Sequence, residues 1–468
     1  MGNVVVRLQS IELKNIKNVN DGKIEMPCSF RKNLDYKRAE ILGLYGQNGS
    51  GKTAVIDALF FLQRIMIGES LKEELSDYID AKETQAEIAA DFAIFMDDII
   101  YEVGYHVKLH KTSSNQVEIQ REVLSSAKYD GEKRSNKIIF MDYQRDENTT
   151  VFTPKKRLEE LIEGNKEYRT DLIVAKKMAE KSNCSYIFGD SSREIFFHEF
   201  ENAFCDYSYI IKALFRFALT DLFVIRNSHS GVISANFMLP MAFRIDKENQ
   251  SSAKMKGDFA VSLTEPTILD QKRKDVLYRI VEEINTVLYT IIPGMKMDIK
   301  DYGMQLMDNG ENGYKVELLS ARDGVPSIPI RMESEGIIKI ISILNALIQA
   351  FANHSICLAI DELDAGIFEY MLGELLDIFT KSAKGQMIFT SHNLRALEML
   401  DKESIMFSTA NPKNRYIHMK NIKRSNNLRD VYLRSITLGG QNEEIYAETD
   451  SMKIARAFRK AGRSKDNE

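Results

Sequence analysis

The octapeptide Gly46-Gln47-Asn48-Gly49-Ser50-Gly51-Lys52-Thr53 constrains this chain more than any other feature. It fits G-x-x-x-x-G-K-[ST], a spacing that builds a backbone cradle for phosphate. Its glycines let successive N–H groups turn toward one point, a geometry that a Cβ resists. The pattern carries meaning only between a strand and a helix, and the sequence supplies both. Ile41-Leu42-Gly43-Leu44-Tyr45 is a short apolar run of the kind a buried parallel strand needs. From Lys52 to Met66 the apolar positions Ala54, Val55, Ala58, Leu59, Leu62 and Ile65 recur at a helical period, and Gly68 is placed to end that helix. The helix N-terminus behind the loop adds positive potential. Gly46, Asn48, Gly49, Ser50 and Gly51 therefore read as the cradle. Lys52 reads as a mobile charge for β- and γ-phosphates, and the Thr53 hydroxyl as a ligand for Mg²⁺, a hard ion that prefers oxygen. ATP with Mg²⁺ is the expected ligand pair.

Such a loop works with a carboxylate from a neighbouring strand. Cys357-Leu358-Ala359-Ile360-Asp361-Glu362 is an apolar run ending in two acids. Adjacent residues of a strand face opposite ways, so the two acids are expected to have different tasks. Asp361 is expected to hold Mg²⁺, and Glu362 to orient or deprotonate the attacking water. Gln386-Met387-Ile388-Phe389-Thr390-Ser391-His392 is another apolar run, and its terminal imidazole can bond the γ-phosphate. Lys52, Glu362 and His392 are thus the catalytic candidates.

Elsewhere the pattern changes by segment. Residues 4–16 read as a strand. Residues 88–124 alternate with period two, through Tyr101, Val103, Tyr105, Val107 and Leu109, as in an antiparallel layer with one wet face. Thr153-Pro154 reads as a helix start, with Thr153 as cap and Pro154 in the first turn. The segment after it is helical and rich in charge. Residues 296–331 read as hairpins, with Asn309-Gly310 and Asn312-Gly313 as turns. From Gly336 an amphipathic helix runs to about Phe351. The expected organisation is 1–153, an N-terminal lobe with the phosphate loop and the β layer; 154–295, a mainly helical insertion; 296–410, a C-terminal lobe with the acids; and 411–468, a basic extension.

Composition bounds the class. Apolar residues are 44% and charged residues 28% of 468, which excludes a disordered or low-complexity chain. Lys and Arg number 63 against 68 Asp and Glu, a net charge of −5, so the chain as a whole does not coat nucleic acid. The four cysteines, Cys28, Cys184, Cys205 and Cys357, form no CxxC pair and fit a reducing compartment. No signal-peptide core opens the chain, and no uninterrupted apolar run approaches the ~20 residues of a membrane span. A cytoplasmic protein without membrane attachment is expected.

Four stretches together resemble a known family: Leu13-Lys14-Asn15-Ile16-Lys17, the glycine loop, Asp361-Glu362-Leu363-Asp364-Ala365-Gly366, and Thr390-Ser391-His392. They are similar to the ABC-type ATPase heads of SMC and OLD (overcoming-lysogeny) proteins. They most resemble the compact AAA15/AAA_21 ATPases of bacterial anti-phage systems, over roughly residues 1–150 and 296–410. The resemblance implies an α/β fold: an ABC-type P-loop ATPase head with a mixed sheet core and an antiparallel β layer, plus the helical insertion. It implies a signature loop at Met332–Gly336, where Ser334 and Gly336 would cap ATP held by a second subunit. Glu335 and Ile337 depart from the family's usual glycine and glutamine. Asp364 would cross between subunits. A glutamine touching Mg²⁺ is also implied, with Gln144 suitably placed and Gln85 as a rival.

By the same resemblance the protein is an Mg²⁺-dependent ATP hydrolase acting as an ATP-gated switch. It would form a homodimer or higher oligomer, in anti-phage defence with a separate nuclease or toxin as effector. Two alternatives stand beside this reading. One is a DNA-binding clamp of the repair or chromosome type, using the basic residues Lys413, Arg415, Lys420, Lys423, Arg424, Arg429, Arg456, Arg459, Lys460, Arg463 and Lys465. The other is a nuclease with an unrecognised site in the insertion. The stretch between Thr53 and Glu333 lacks the sustained heptads of SMC arms. The residues after His392 lack the Asp-x-Asp spacing of an OLD nuclease.

Overall fold

Five parallel strands and one antiparallel edge strand form the sheet that carries the loop and the acids. Their spatial order is Tyr416–Ile417, Ile405–Ser408, Glu40–Tyr45, Gln386–Thr390, Cys357–Ile360 and Leu222–Ile225. The computed structural model describes all residues except 1–3, 28–35, 164, 228–237, 247–253, 308–309, 421–426, 447–448 and 463–468. Cys28, Asn309, Lys423, Arg424, Arg463 and Lys465 thus lie outside the described residues.

These strands are apolar throughout because both faces of the sheet are covered. Leu42, Leu44, Cys357, Ala359, Ile388 and Met406 point into one core. Ile41, Tyr45, Leu358, Ile360, Met387, Phe389, Ile405 and Phe407 point into the other. The first core is shared with the helix Lys52–Met66 and with an antiparallel sheet. That second sheet runs Val19–Glu25, Val5–Ile16, Gln85–Met96, Ile99–Lys111, Val117–Tyr129, Ile138–Gln144. Its alternation is as the sequence indicates: Tyr101, Val103, Tyr105, Val107 and Leu109 are buried, and Asp97 and Asn115 take left-handed turn conformations. The second core packs the helices Gln271–Ile291, Glu335–Ala352 and Glu369–Ser382. Burying Ile338, Ile341, Leu344 and Leu347 contributes roughly 1.5–3 kcal/mol each. Among the described residues Glu335–Ala352 is the one helix long and apolar enough to cross a membrane, and it is mostly buried.

The segment read as a helical insertion departs from that reading in its second half. Helices Lys155–Ile162, Tyr168–Ser182, Asp190–Phe196 and Cys205–Arg216 come first. The chain then enters the central sheet as Leu222–Ile225, parallel to Cys357–Ile360. A hairpin, Met238–Asp246 with Lys254–Ser262, follows before the helix Gln271–Ile291. Thr153 does not cap the first helix. It bridges Asp142 in the neighbouring sheet, and the helix starts after Pro154. Asn312-Gly313 opens the strand Asn312–Arg322 instead of forming a turn.

Candidate functional site

The loop meets its helix as the glycine pattern requires. Gly46, Gly49 and Gly51 have φ of 150°, 76° and 90°. A Cβ on Gly46 would stand 2.0 Å from Ser408 Oγ, and one on Gly51 would stand 2.9 Å from Val19. Gly51 is the N-cap of Lys52–Met66, with no side-chain cap and no acid in the first turn. The positive end of that helix is therefore not neutralised from within. Tyr416 Oη donates to the Gly51 carbonyl at 2.6 Å, and Asn18 Nδ2 donates to the Gly49 carbonyl. Ser50 Oγ donates to the Gln47 carbonyl at 2.6 Å. Asn18, Ser408 and Tyr416 thus brace the cradle from both ends of the chain. No local motif marked them, because each is distant from the loop in sequence.

Lys52 is buried, and its Nζ donates to the carbonyls of Gly46 and Gln47 at 2.9 and 3.0 Å. Burial lowers the pKa of this ammonium, while Asp361, Glu362 and Asp364 oppose the shift. Three carboxylates therefore lie within its field.

The two acids directly follow Cys357–Ile360, a strand one removed from the loop strand, because Gln386–Thr390 runs between the two. Thr390 Oγ1 on that middle strand donates to Asp361 Oδ1 at 2.6 Å. Thr53 Oγ1 donates to the same oxygen at 3.3 Å. Asp361 is 2% exposed, and its other oxygen, Oδ2, is buried with no hydrogen-bond partner. A buried carboxylate oxygen without a donor is costly unless a cation completes it. Hydroxyl and carboxylate oxygens at this spacing fit Mg²⁺.

Glu362 leaves strand geometry. Its φ is +50°, a left-handed conformation that costs about 1–2 kcal/mol for a side-chain-bearing residue. Its N–H donates to Thr390 Oγ1 at 2.7 Å, and its carbonyl accepts from Lys339 Nζ and from the Ala365 N–H. His392 is exposed at the next strand's end, and its backbone N–H donates to Asp364 Oδ2 at 3.0 Å. Partial burial and then the Lys52 charge lower its imidazole pKa, which favours the neutral ring at neutral pH.

The implied signature loop is an exposed helix start. Ser334 is the N-cap of Glu335–Ala352, its Oγ accepting the Ile337 N–H at 3.4 Å. Gly336 lies against the turn that follows the acids: a Cβ there would stand 1.9 Å from the Gly366 carbonyl oxygen. Gly336→Ala is expected to destabilise the fold by about 1–3 kcal/mol, seen as a lower thermal midpoint. An unchanged midpoint would show that this contact yields freely.

Gln144 is not brought to this cluster. It ends the outermost strand of the antiparallel sheet, at the opposite edge from Val19–Glu25, and its carbonyl accepts from Lys176 Nζ at 2.8 Å. Gln85 starts an inner strand, and its carbonyl accepts from Asn15 Nδ2 at 3.0 Å. Arg226 and Asn227 directly follow the strand Leu222–Ile225, beside Asp361. The Ile225 carbonyl accepts the Asp361 N–H at 2.9 Å. Arg226 packs over Phe60, 3.8 Å from its ring centre, and Asn227 is exposed. The basic surface also shrinks. Arg415 is 5% exposed, and its guanidinium donates to the carbonyls of Thr409 and Asn18. Arg429 pairs with Glu398 at 2.8 Å. Arg456, Arg459 and Lys460 remain exposed on the helix Ser451–Gly462.

The sequence profile of the AAA ATPase domain family AAA_15 matches residues 7–396. The chain belongs to that family. The matched span includes the glycine loop, Asp361, Glu362 and His392, and stops short of the strands Ile405–Ser408 and Tyr416–Ile417. The AAA_15 chain is an α/β ATPase domain with a mixed sheet beside an antiparallel one. Among solved structures it is similar to the Smc head domain with a coiled coil and joint from Pyrococcus yayanosii (13% identity, TM-score 0.40, 92% of this chain and 100% of that one). It is also similar to the SMC head domain from Thermotoga maritima (11%, TM-score 0.33, 89% and 100%) and to the recombination mediator RecF with ATP (14%, TM-score 0.33, 83% and 94%). None of the curated proteins matches the sequence.

Proposed function

We propose that the chain is an Mg²⁺-dependent ATP hydrolase that works as an ATP-gated dimeric switch. The observation that carries this reading is the Asp361 carboxylate. One of its oxygens is shared by Thr53 and Thr390, and the other is buried without a partner. That oxygen set is suited to holding Mg²⁺, which when bound neutralises charge on the triphosphate. Lys52 and the first-turn amides of Lys52–Met66 would hold the β- and γ-phosphates. Glu362 would hold the attacking water in line, and His392 would donate to the phosphoryl oxygens.

The exposed start of Glu335–Ala352 supports a role for a second subunit. Ser334 and Glu335 are exposed there and Gly336 is half-buried against Gly366, and the helix N-terminus would seat a partner's phosphate. Asp364 would cross near the same seat. A twofold arrangement makes both composite sites identical. In the proposed biological setting, a cytoplasmic anti-phage system, the harmful step belongs to a separate effector protein. A second reading, a clamp on DNA, is favoured by the exposed cations of Ser451–Gly462.

Light scattering on Glu362→Gln with ATP and Mg²⁺ tests the switch. The expected result is a doubled mass with ATP and the single-chain mass without nucleotide. An unchanged mass under both conditions sinks the ATP-gated dimer.

A further inference from the structure

We infer that Lys339 is a positioning residue that sets the aim of the Glu362 carboxylate for attack on ATP. This rests on the reading of Glu362 as the water-orienting acid.

Lys339 sits one turn into the helix Glu335–Ala352, with Ile338, Ile340 and Ile341 buried on either side. It is itself only 6% exposed. An ammonium among isoleucines is unfavourable unless specific partners hold it. A methionine would fill the same space without that desolvation. Its Nζ donates to the carbonyl of Glu362, the residue held at φ +50°. The preceding peptide unit is held too, since the Glu362 N–H donates to Thr390 Oγ1. Thr390 also donates to Asp361, so one hydroxyl and one ammonium bracket the two acids.

The left-handed turn at Glu362 separates its side chain from the strand direction of Asp361. A main chain in that region returns to the extended region unless it is anchored. Lys339 supplies an anchor from a different element. The geometry makes that anchor part of the helix Glu335–Ala352, which also touches the Asp361–Gly366 turn through Gly336 and Gly366. Burial lowers the Lys339 pKa, and Asp364, Glu362 and Asp361 oppose that shift, which places the ammonium in the field of all three acids.

The test is a double-mutant cycle on the full chain, read as single-turnover ATP hydrolysis with ATP affinity measured by calorimetry. Lys339→Met is expected to lower the hydrolysis rate about tenfold or more while leaving the ATP Kd within about twofold. Lys339→Arg, which keeps a donor, is expected to recover part of the rate. In a Glu362→Gln background, Lys339→Met is expected to add less than about twofold, because its target is already gone. A wild-type rate in Lys339→Met, or losses that multiply in the double variant, overturns the proposal. If Lys339→Met does not fold, Lys339→Gln and Lys339→Arg carry the same comparison. A wild-type rate in Glu362→Gln alone overturns the assignment of Glu362, and the role of Lys339 falls with it.

Discussion

Glu362→Gln is expected to hydrolyse ATP about 10²-fold or more slowly than the wild type, with nucleotide affinity essentially unchanged. The amide has the shape of the carboxylate but takes no proton and orients water less firmly. Binding should survive because Glu362 makes no bond to the cradle. Its backbone contacts run to Thr390, Lys339 and Ala365 instead. The substitution leaves all of these in place, since each uses main-chain atoms of residue 362. Steady-state phosphate release and ATP calorimetry measure the two quantities separately. Slow turnover with intact binding is the signature of an interaction made only in the transition state. A variant that turns over at the wild-type rate removes Glu362 from the chemistry. A variant that also loses ATP would mean that the left-handed turn, not the carboxylate, was damaged.

Much of this site could be read from the chain before folding, and the reasons are local. The cradle needs glycine at φ values that other residues avoid, so Gly46, Gly49 and Gly51 declare themselves. The central strands are buried on both faces, so Ile41–Tyr45, Cys357–Ile360 and Gln386–Thr390 are apolar without alternation. What stayed hidden depends on long-range order. The strand Leu222–Ile225 is four residues long, follows a helix through a wide turn, and pairs with residues far along the chain. Its one local sign is an apolar Leu-Phe-Val-Ile run ending in polar Arg226-Asn227, the same shape as the other strand ends. Parallel strand order is not encoded in any local period, so the intervention of Gln386–Thr390 between loop and acids was not legible. With it went the role of Thr390, whose contacts to Asp361 and Glu362 exist only once the strands are ordered. Arg415 misled for a different reason: in a run of basic residues, nothing local distinguishes a solvated guanidinium from one buried against carbonyls.

Lys52→Ala should weaken ATP binding by about 10- to 100-fold, and turnover should fall below detection. The magnitude follows from two kinds of contact. A hydrogen bond to a charged group contributes about 1.5–3 kcal/mol, and each 1.4 kcal/mol is a tenfold change in affinity. Lys52 is buried, where the attraction between ammonium and phosphate is less screened than at the surface. The loss should therefore lie toward the upper end of that range and shrink little with added salt. Lys52 also donates to the carbonyls of Gly46 and Gln47, so its removal loosens the loop as well as removing a charge. Lys52→Arg separates the two effects, because it keeps the charge but not the compact ammonium that reaches back to the loop. If charge alone mattered, the Arg variant would bind ATP as the wild type does. If the lysine's bonds to the loop matter, it should bind weakly, and calorimetry across a salt series should show a deficit that salt does not change. Wild-type affinity in Lys52→Ala would remove the phosphate cradle, and with it the claim that Asp361, Thr53 and Lys52 meet around one triphosphate.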